Sequence, residues 1–256
     1  MRINTYGEES LPKILALHPM LANGASMVQL AGQLRENSCI IAPDLSGQGK
    51  DTGDFESPEK EADALWAYLQ EKGWLDIRLV YGASLGAAVG LELLSKPGLK
   101  VHTAVFDGCP LYREAAVLRW LLTKVFLKKY RKAVSNPGLS VRKMTELYGP
   151  VFGPSMGRTF ETMSETSIRA IVAACSRCSF PQYPKELEEN LHFEYGSKDS
   201  DLKIGKKNIA RYYPNATLKV REGYGHCQYI SSMGERYGEV LAQYMGKAIV
   251  GADKWR

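Results

Sequence analysis

The chain has 256 residues, with 33 lysines and arginines against 28 aspartates and glutamates for a net charge of +5, and 45% of its residues are hydrophobic. That length and apolar content exclude an intrinsically disordered chain and leave room for one large α/β domain or two small ones. No apolar run reaches the ~18 residues that a membrane-spanning helix needs, whereas the charge alone decides nothing for or against nucleic acid.

The opening MRINTYGEES lacks the basic-then-apolar order of a secretory signal, so secretion by that route is not expected. The first apolar run, residues 13–17 (KILAL), reads as a strand and leads into His18-Pro19-Met20. A helix over 26–34, a strand over 39–42 (CIIA) and a helix over 58–70 follow. Next come a strand over 77–81 (IRLVY), an alanine- and leucine-rich helix over 85–94, and a strand over 101–106 (VHTAVF). From Leu111 to Phe180 the pattern turns helical, punctuated by Pro137-Gly138, Gly149-Pro150 and Gly153-Pro154. The chain then returns to a strand over 191–195 (LHFEY), a helix over 202–212, a strand over 216–220 (ATLKV) and a helix over 229–245. Near-continuous apolar strands separated by helices predict an α/β fold with a doubly wound, mostly parallel sheet. Residues 1–110 and 181–256 form its core, and 111–180 are a helical insertion. Five cysteines without regular spacing suit reduced thiols in a cytoplasm better than a disulfide framework.

Ligands of such sheets bind beyond the carboxyl ends of the strands. Gly82-Ala83-Ser84-Leu85-Gly86 lies there, between a strand and a helix. A serine on so sharp a turn projects its hydroxyl above the sheet, and the flanking glycines let neighbouring chain approach. The bland alternative makes Ser84 a helix cap. A serine nucleophile needs a base, and the base needs an orienting acid. Of the four histidines, His102 and His192 fall at strand beginnings, the wrong end of the sheet. His226, in Gly223-Tyr224-Gly225-His226, falls just past the last strand and is the candidate base. Asp199 follows the strand 191–195 and is the candidate acid. Asp107, at the end of strand 101–106, competes with it, and Asp201 is better placed to cap the next helix. A tetrahedral oxyanion needs two backbone donors. Leu85, directly after Ser84, supplies one. Pro19 has no N–H, so Met20 is the candidate for the other. His18 either shapes that loop or has no role.

Together these residues resemble the α/β-hydrolase superfamily over nearly the whole chain. His18-Pro19-Met20 stands where many members have His-Gly-x. Pro43-Asp44-Leu45-Ser46-Gly47-Gln48-Gly49 resembles the D-x-x-G-x-G loop. GASLG, GSKD and GYGH then follow in the superfamily's order. The resemblance implies Ser84 as nucleophile, Asp199 as acid, His226 as base, and 111–180 as a cap over the pocket. It further implies acyl transfer on an ester or thioester, with neither a metal nor an organic cofactor. Carbon–carbon bond hydrolysis, transfer to an acceptor other than water, and ligand binding with a slow triad are the alternatives on the same scaffold. Pro19 departs from the usual glycine, and the insertion carries no motif that identifies a subfamily.

Residues 111–180 hold twelve lysines and arginines against four acids, a net +8, which leaves −3 for the remainder. That charge suits an anionic small-molecule acyl substrate or an acidic partner surface, and a solvated helical face explains it equally well. Leu118, Leu121, Leu122, Val125 and Phe126 share a helical face. Because Lys129 and Lys132 return to that face, a lid over the pocket is favoured over a membrane-surface helix. Nucleic acid is disfavoured, since the basic residues form no recognised binding motif. Cys175-Ser176-Arg177-Cys178 has no second ligand pair at zinc spacing and reads as part of a helix of the insertion.

Overall fold

The computed structural model describes residues 1–48 and 53–246. In chain order its elements begin with β1 (Arg2–Tyr6), β2 (Lys13–Leu17), α1 (Gly24–Ala31), β3 (Cys39–Asp44) and α2 (Pro58–Glu71). They continue through β4 (Asp76–Ala83), α3 (Leu85–Leu94), β5 (Lys100–Val101) and β6 (Ala104–Asp107). Three long helices follow: α4 (Ala116–Ser135), α5 (Leu139–Thr162) and α6 (Glu165–Ala174). The chain closes with α7 (Lys185–Glu188), β7 (Leu191–Gly196), α8 (Leu202–Tyr212), β8 (Thr217–Arg221), α9 (Gln228–Met233) and α10 (Tyr237–Tyr244).

The strands make one sheet in the order β1-β3-β2-β4-β6-β7-β8, with the short β5 beside the start of β4. All pairings are parallel except that of β1, which runs antiparallel along β3 with Arg2 opposite Asp44 and Tyr6 opposite Ile40. β2 and β3 are buried along their whole length, as strands covered on both faces must be. Register identifies the two faces. Tyr81 pairs with Val105, so Tyr81 and Phe106 point to opposite sides. The Tyr81 ring meets Tyr237 of α10 at 5.3 Å, while Phe106 lies against Gly90 of α3, 2.5 Å from where a β-carbon there would sit. Thus α1 and α10, which pack on each other, cover one face, and α2 and α3 cover the other.

Local chemistry explains most element boundaries. Asn23 accepts from the Ser26 N–H, so α1 starts two residues earlier than the apolar pattern suggests. Ser57 caps α2, with Pro58, Glu59 and Glu61 in its first turn, where acids suit the helix's positive end. The single helix expected over 229–245 is two, α9 and α10, separated by a 3₁₀ turn at Gly234–Arg236. The strand expected over 101–106 is likewise split into β5 and β6. β1 was not expected from the sequence. Its RINTY is polar, and Arg2 holds it to the Asp44 carboxylate at 2.7 Å.

The inserted helices follow the expected punctuation except at one point. α4 ends before Pro137-Gly138, and α5 breaks at Gly149, whose φ is +77°. Gly153-Pro154 does not break the chain. The two arms of α5 fold back on each other so closely that β-carbons at Gly153 and Gly157 would lie 2.3 Å from the Cα atoms of Thr145 and Val141.

At the carboxyl edge of β7, the wholly buried Glu194 takes two hydrogen bonds from Arg221 of β8, at 2.5 and 3.1 Å. Tyr237 and Tyr244 of α10 complete its shell. Removing one partner of a buried pair strands the other charge. Arg221→Ala should therefore cost about 3–5 kcal/mol in urea unfolding, against under about 1 kcal/mol for a surface change such as Lys60→Ala.

Candidate active site

The turn from β4 into α3 puts Ser84 at φ +50°, ψ −111°, a conformation that costs a non-glycine residue on the order of 1–3 kcal/mol. Two contacts hold it there. The Ser84 N–H donates to the Asp107 carbonyl at 2.8 Å, and α3 presses so close to β2 that a β-carbon at Gly86 would lie 2.2 Å from the Leu17 oxygen. The Ser84 side chain makes no cap bond to α3. Its hydroxyl instead meets His226 Nε2 at 2.9 Å.

His226 lies between β8 and α9. Its loop is tied to the turn after β7 by the Lys198 N–H donating to the Tyr224 carbonyl, and to α9 by the Gly225 N–H donating to Gln228. His226 Nδ1 meets Asp199 Oδ2 at 2.9 Å, and the second oxygen of Asp199 accepts from the Asp201 N–H, also at 2.9 Å. A carboxylate at Asp199 can only accept, so Nδ1 carries the ring proton and Nε2 is left to accept from the Ser84 hydroxyl. Three residues far apart in sequence therefore form one hydrogen-bond chain at the carboxyl ends of β4, β7 and β8.

Neighbouring groups set the charge on the imidazole. A Cys227 thiolate would stabilise its protonated form most strongly, but burial raises that thiol to about 11, so it is neutral around pH 7. The upward push on His226 near neutrality then comes from Asp199, through its hydrogen bond and charge, against the downward pull of burial.

The competing acids go elsewhere. Asp107 makes no hydrogen bond to His226, and its Oδ2 has no partner among the described residues. Burial, helped by the nearby Glu194, raises it to about 7. Asp201 does not cap α8 with its side chain as expected; it accepts from the Tyr112 hydroxyl at 2.8 Å. Asp199, Asp201 and His226 each offer an atom within 4.8 Å of the others, a spacing a metal could use. However, both nitrogens of His226 are engaged within the chain, and binding an ion there would break it.

His18 is buried and neutral. Its Nε2 accepts from the Leu45 N–H at 2.9 Å, so Nδ1 donates to the Pro19 carbonyl at 2.8 Å. Burial lowers its pKa to about 4. The ring thereby fixes the turn after β2 to the chain leaving β3, and Gln48 adds a bond at 2.5 Å from the Leu21 N–H. Met20 sits in this turn and, with Ser84, borders the cavity described below. Leu85 is buried, and its N–H is the first of α3, without an intrahelical acceptor. Gly49, the last residue of the expected D-x-x-G-x-G loop, lies outside the described residues.

One contact went unread in the sequence. A β-carbon at Gly108 would lie 2.8 Å from His226 Cε1, so only glycine lets the ring reach Ser84. Its signal was Asp107-Gly108 at a strand's carboxyl end. His102 and His192 lie at the opposite end, bonded to Asp76 and Thr217. Cys175 and Cys178 fall past the end of α6 rather than within it, and both thiols are free.

Ser84 and His226 open onto a cavity of about 490 Å³. Leu118, Leu122 and Phe126 of α4, Tyr148, Phe152 and Met156 of α5 and Ile171 of α6 line it from one side, with Met20 and Ile230 from the other. Among the described residues, Lys129 is its one Lys or Arg.

Neither a protein-family model nor a curated relative matches the sequence. Solved structures do resemble it. A protein from Desulfitobacterium hafniense assigned to the α/β-hydrolase family superposes with a TM-score of 0.71 at 17% identity, over 94% of this chain and 99% of that one. The chain has the α/β-hydrolase fold. An esterase from Exiguobacterium antarcticum (TM-score 0.72, 15% identity, 96% and 95% covered) and a bromoperoxidase from Bacillus anthracis (0.73, 16%, 96% and 95%) are similar in the same way. At these identities the likeness is one of fold. Within this α/β-hydrolase fold, the residues between β6 and β7 form the helical wall of the cavity.

Asp107 sets a pH dependence. Its folded value is raised from 3.8 to about 7, so between those values the unfolded chain releases a proton that the folded chain retains. Stability from this group therefore falls as pH rises from about 4 to 7 and is flat above. Asp107→Asn should gain on wild type across that window by at most about 4 kcal/mol, measured by urea unfolding at several pH values.

Proposed function

We propose that the protein is a serine hydrolase that cleaves a carboxylic ester or thioester through an acyl-enzyme intermediate. The observation that carries this reading is the chain Ser84–His226–Asp199, with 2.9 Å at both links, opening on an apolar cavity. His226 Nε2 takes the Ser84 proton as Oγ attacks the substrate carbonyl. The oxyanion is held by the N–H groups of Met20 and Leu85. His226 then gives its proton to the leaving group, activates a water, and returns that water's proton to Ser84 as the acyl group leaves. Asp199 keeps the ring oriented and stabilises its charged form. Residues 111–180 act as the cap, their apolar side chains accepting the acyl portion. Lys129, at the border, favours an anionic substrate.

A fluorophosphonate label together with short-chain p-nitrophenyl esters tests the reading. Wild type should label and turn over, while Ser84→Ala should do neither and Asp199→Asn should lose about 10⁴-fold in kcat. Asp107→Asn should keep most of its activity. A wild type that does not label, or a Ser84→Ala variant that turns over as fast, overturns the reading; full activity in Asp199→Asn overturns only the choice of acid. For the anionic preference, Lys129→Glu should raise KM about two- to fivefold for a hemisuccinate ester and leave the matched neutral ester unchanged. An equal change in both assigns Lys129 to the solvated surface.

A further inference from the structure

α4 is apolar on two faces. Of the five apolar residues expected to share one face, only Leu118, Leu122 and Phe126 line the cavity, which accounts for one, and Leu121 and Val125 fall on the other. The other points away from the protein: Val117 is 80% exposed, Trp120 59%, Leu121 50% and Val125 36%. At 100° per residue these four, with Lys124, Lys128 and Lys132, share one side of the helix. α4 carries no acidic residue. Lys124 lies 3.8 Å over the Trp120 ring, Arg131 pairs with Glu165, and Lys128 and Lys132 make no ion pair among the described residues. Burying the inner face explains none of this outer one. A soluble domain rarely leaves a tryptophan, a leucine and two valines together in water without a use.

We propose that the outer face of α4 docks on an anionic lipid surface. The sign of the charge selects the partner, because lysines flank the apolar residues on a convex helix rather than within a groove. Apolar side chains there would enter the acyl boundary while the lysines meet anionic headgroups. A tryptophan whose ring is apolar and whose edge is wet belongs at that depth. A second copy of the chain is a poor occupant, since a two-fold pairing would set these lysines against their own copies. The same helix would then wall the cavity on one side and meet the membrane on the other. The proposal needs no turnover and stands apart from the hydrolase reading.

Co-sedimentation of the full chain with vesicles of phosphatidylcholine, with and without phosphatidylglycerol, tests it. The protein should pellet with the anionic vesicles, be released by high salt, and stay in solution with phosphatidylcholine alone. Brominated lipid should quench tryptophan emission in wild type, and Trp120→Phe should lose that quenching. Lys124→Glu/Lys128→Glu/Lys132→Glu and Val117→Ser/Leu121→Ser/Val125→Ser should each lower the partition coefficient about tenfold or more. Thermal melts by circular dichroism would show both variants folded. Absence of wild-type binding, equal binding by the folded variants, or a wild-type dimer that Leu121→Ser dissociates would each overturn the proposal.

Discussion

Everything at the carboxyl edge of the sheet hangs on how closely α3 approaches β2. Because Gly86 has no side chain, the helix starts against the Leu17 carbonyl, and the chain between β4 and α3 has no room for a relaxed turn. Ser84 takes up the strain at φ +50° and is left pointing out of the sheet, its N–H tied to the Asp107 carbonyl. The turn after β2 is crowded by the same approach. There the neutral His18 ring satisfies two backbone groups that burial would otherwise orphan, at Pro19 and Leu45. A histidine that cannot ionise until about pH 4 is suited to that task, since a charged ring could not accept from Leu45. The serine and the turn carrying Met20 are thus positioned by one packing event.

The fold was legible because burial on both faces imposes continuous apolar runs, and such runs need no partner to be read. β1 escaped for the converse reason. An edge strand with one pairing neighbour can be polar, and its anchor, Arg2 on Asp44, links residues 42 positions apart. The hairpin of α5 was half legible. Gly149-Pro150 breaks the helix, yet Gly153-Pro154 has the same composition and serves instead to let two arms touch. A sequence names the residues that tolerate a bend but not which of them the tertiary contacts will bend.

The candidate site divides along the same line. That Ser84, Asp199 and His226 lie at the carboxyl ends of strands follows from order and spacing. Asp107 met that criterion too, and strand parity is what separates it from Asp199. It shares a face with Val105 and Tyr81, the face closed by α10, and sits opposite Glu194 in register. Asp199, beyond its strand, is free of that alternation, and its turn carries it around to the ring. Gly108 was invisible because its significance lies wholly in the ring that passes it.

Three buried carboxylates cluster beneath that ring, an arrangement that would ordinarily be self-defeating. Each is handled differently. Glu194 is paired with Arg221 and accepts from two tyrosine hydroxyls, and its remaining charge adds to burial in raising Asp107. Asp107, whose Oδ2 has no partner among the described residues, keeps its proton up to about pH 7. Only Asp199 both faces the imidazole and receives a backbone donor on its far oxygen. Below neutrality the acid bonded to His226 is therefore Asp199, along Nδ1, and the opposite nitrogen is left to Ser84. Above pH 7 Asp107 joins it, which further favours the protonated ring. The field at the ring is then set by which of its acid neighbours the fold supplies with donors, not by how many it gathers.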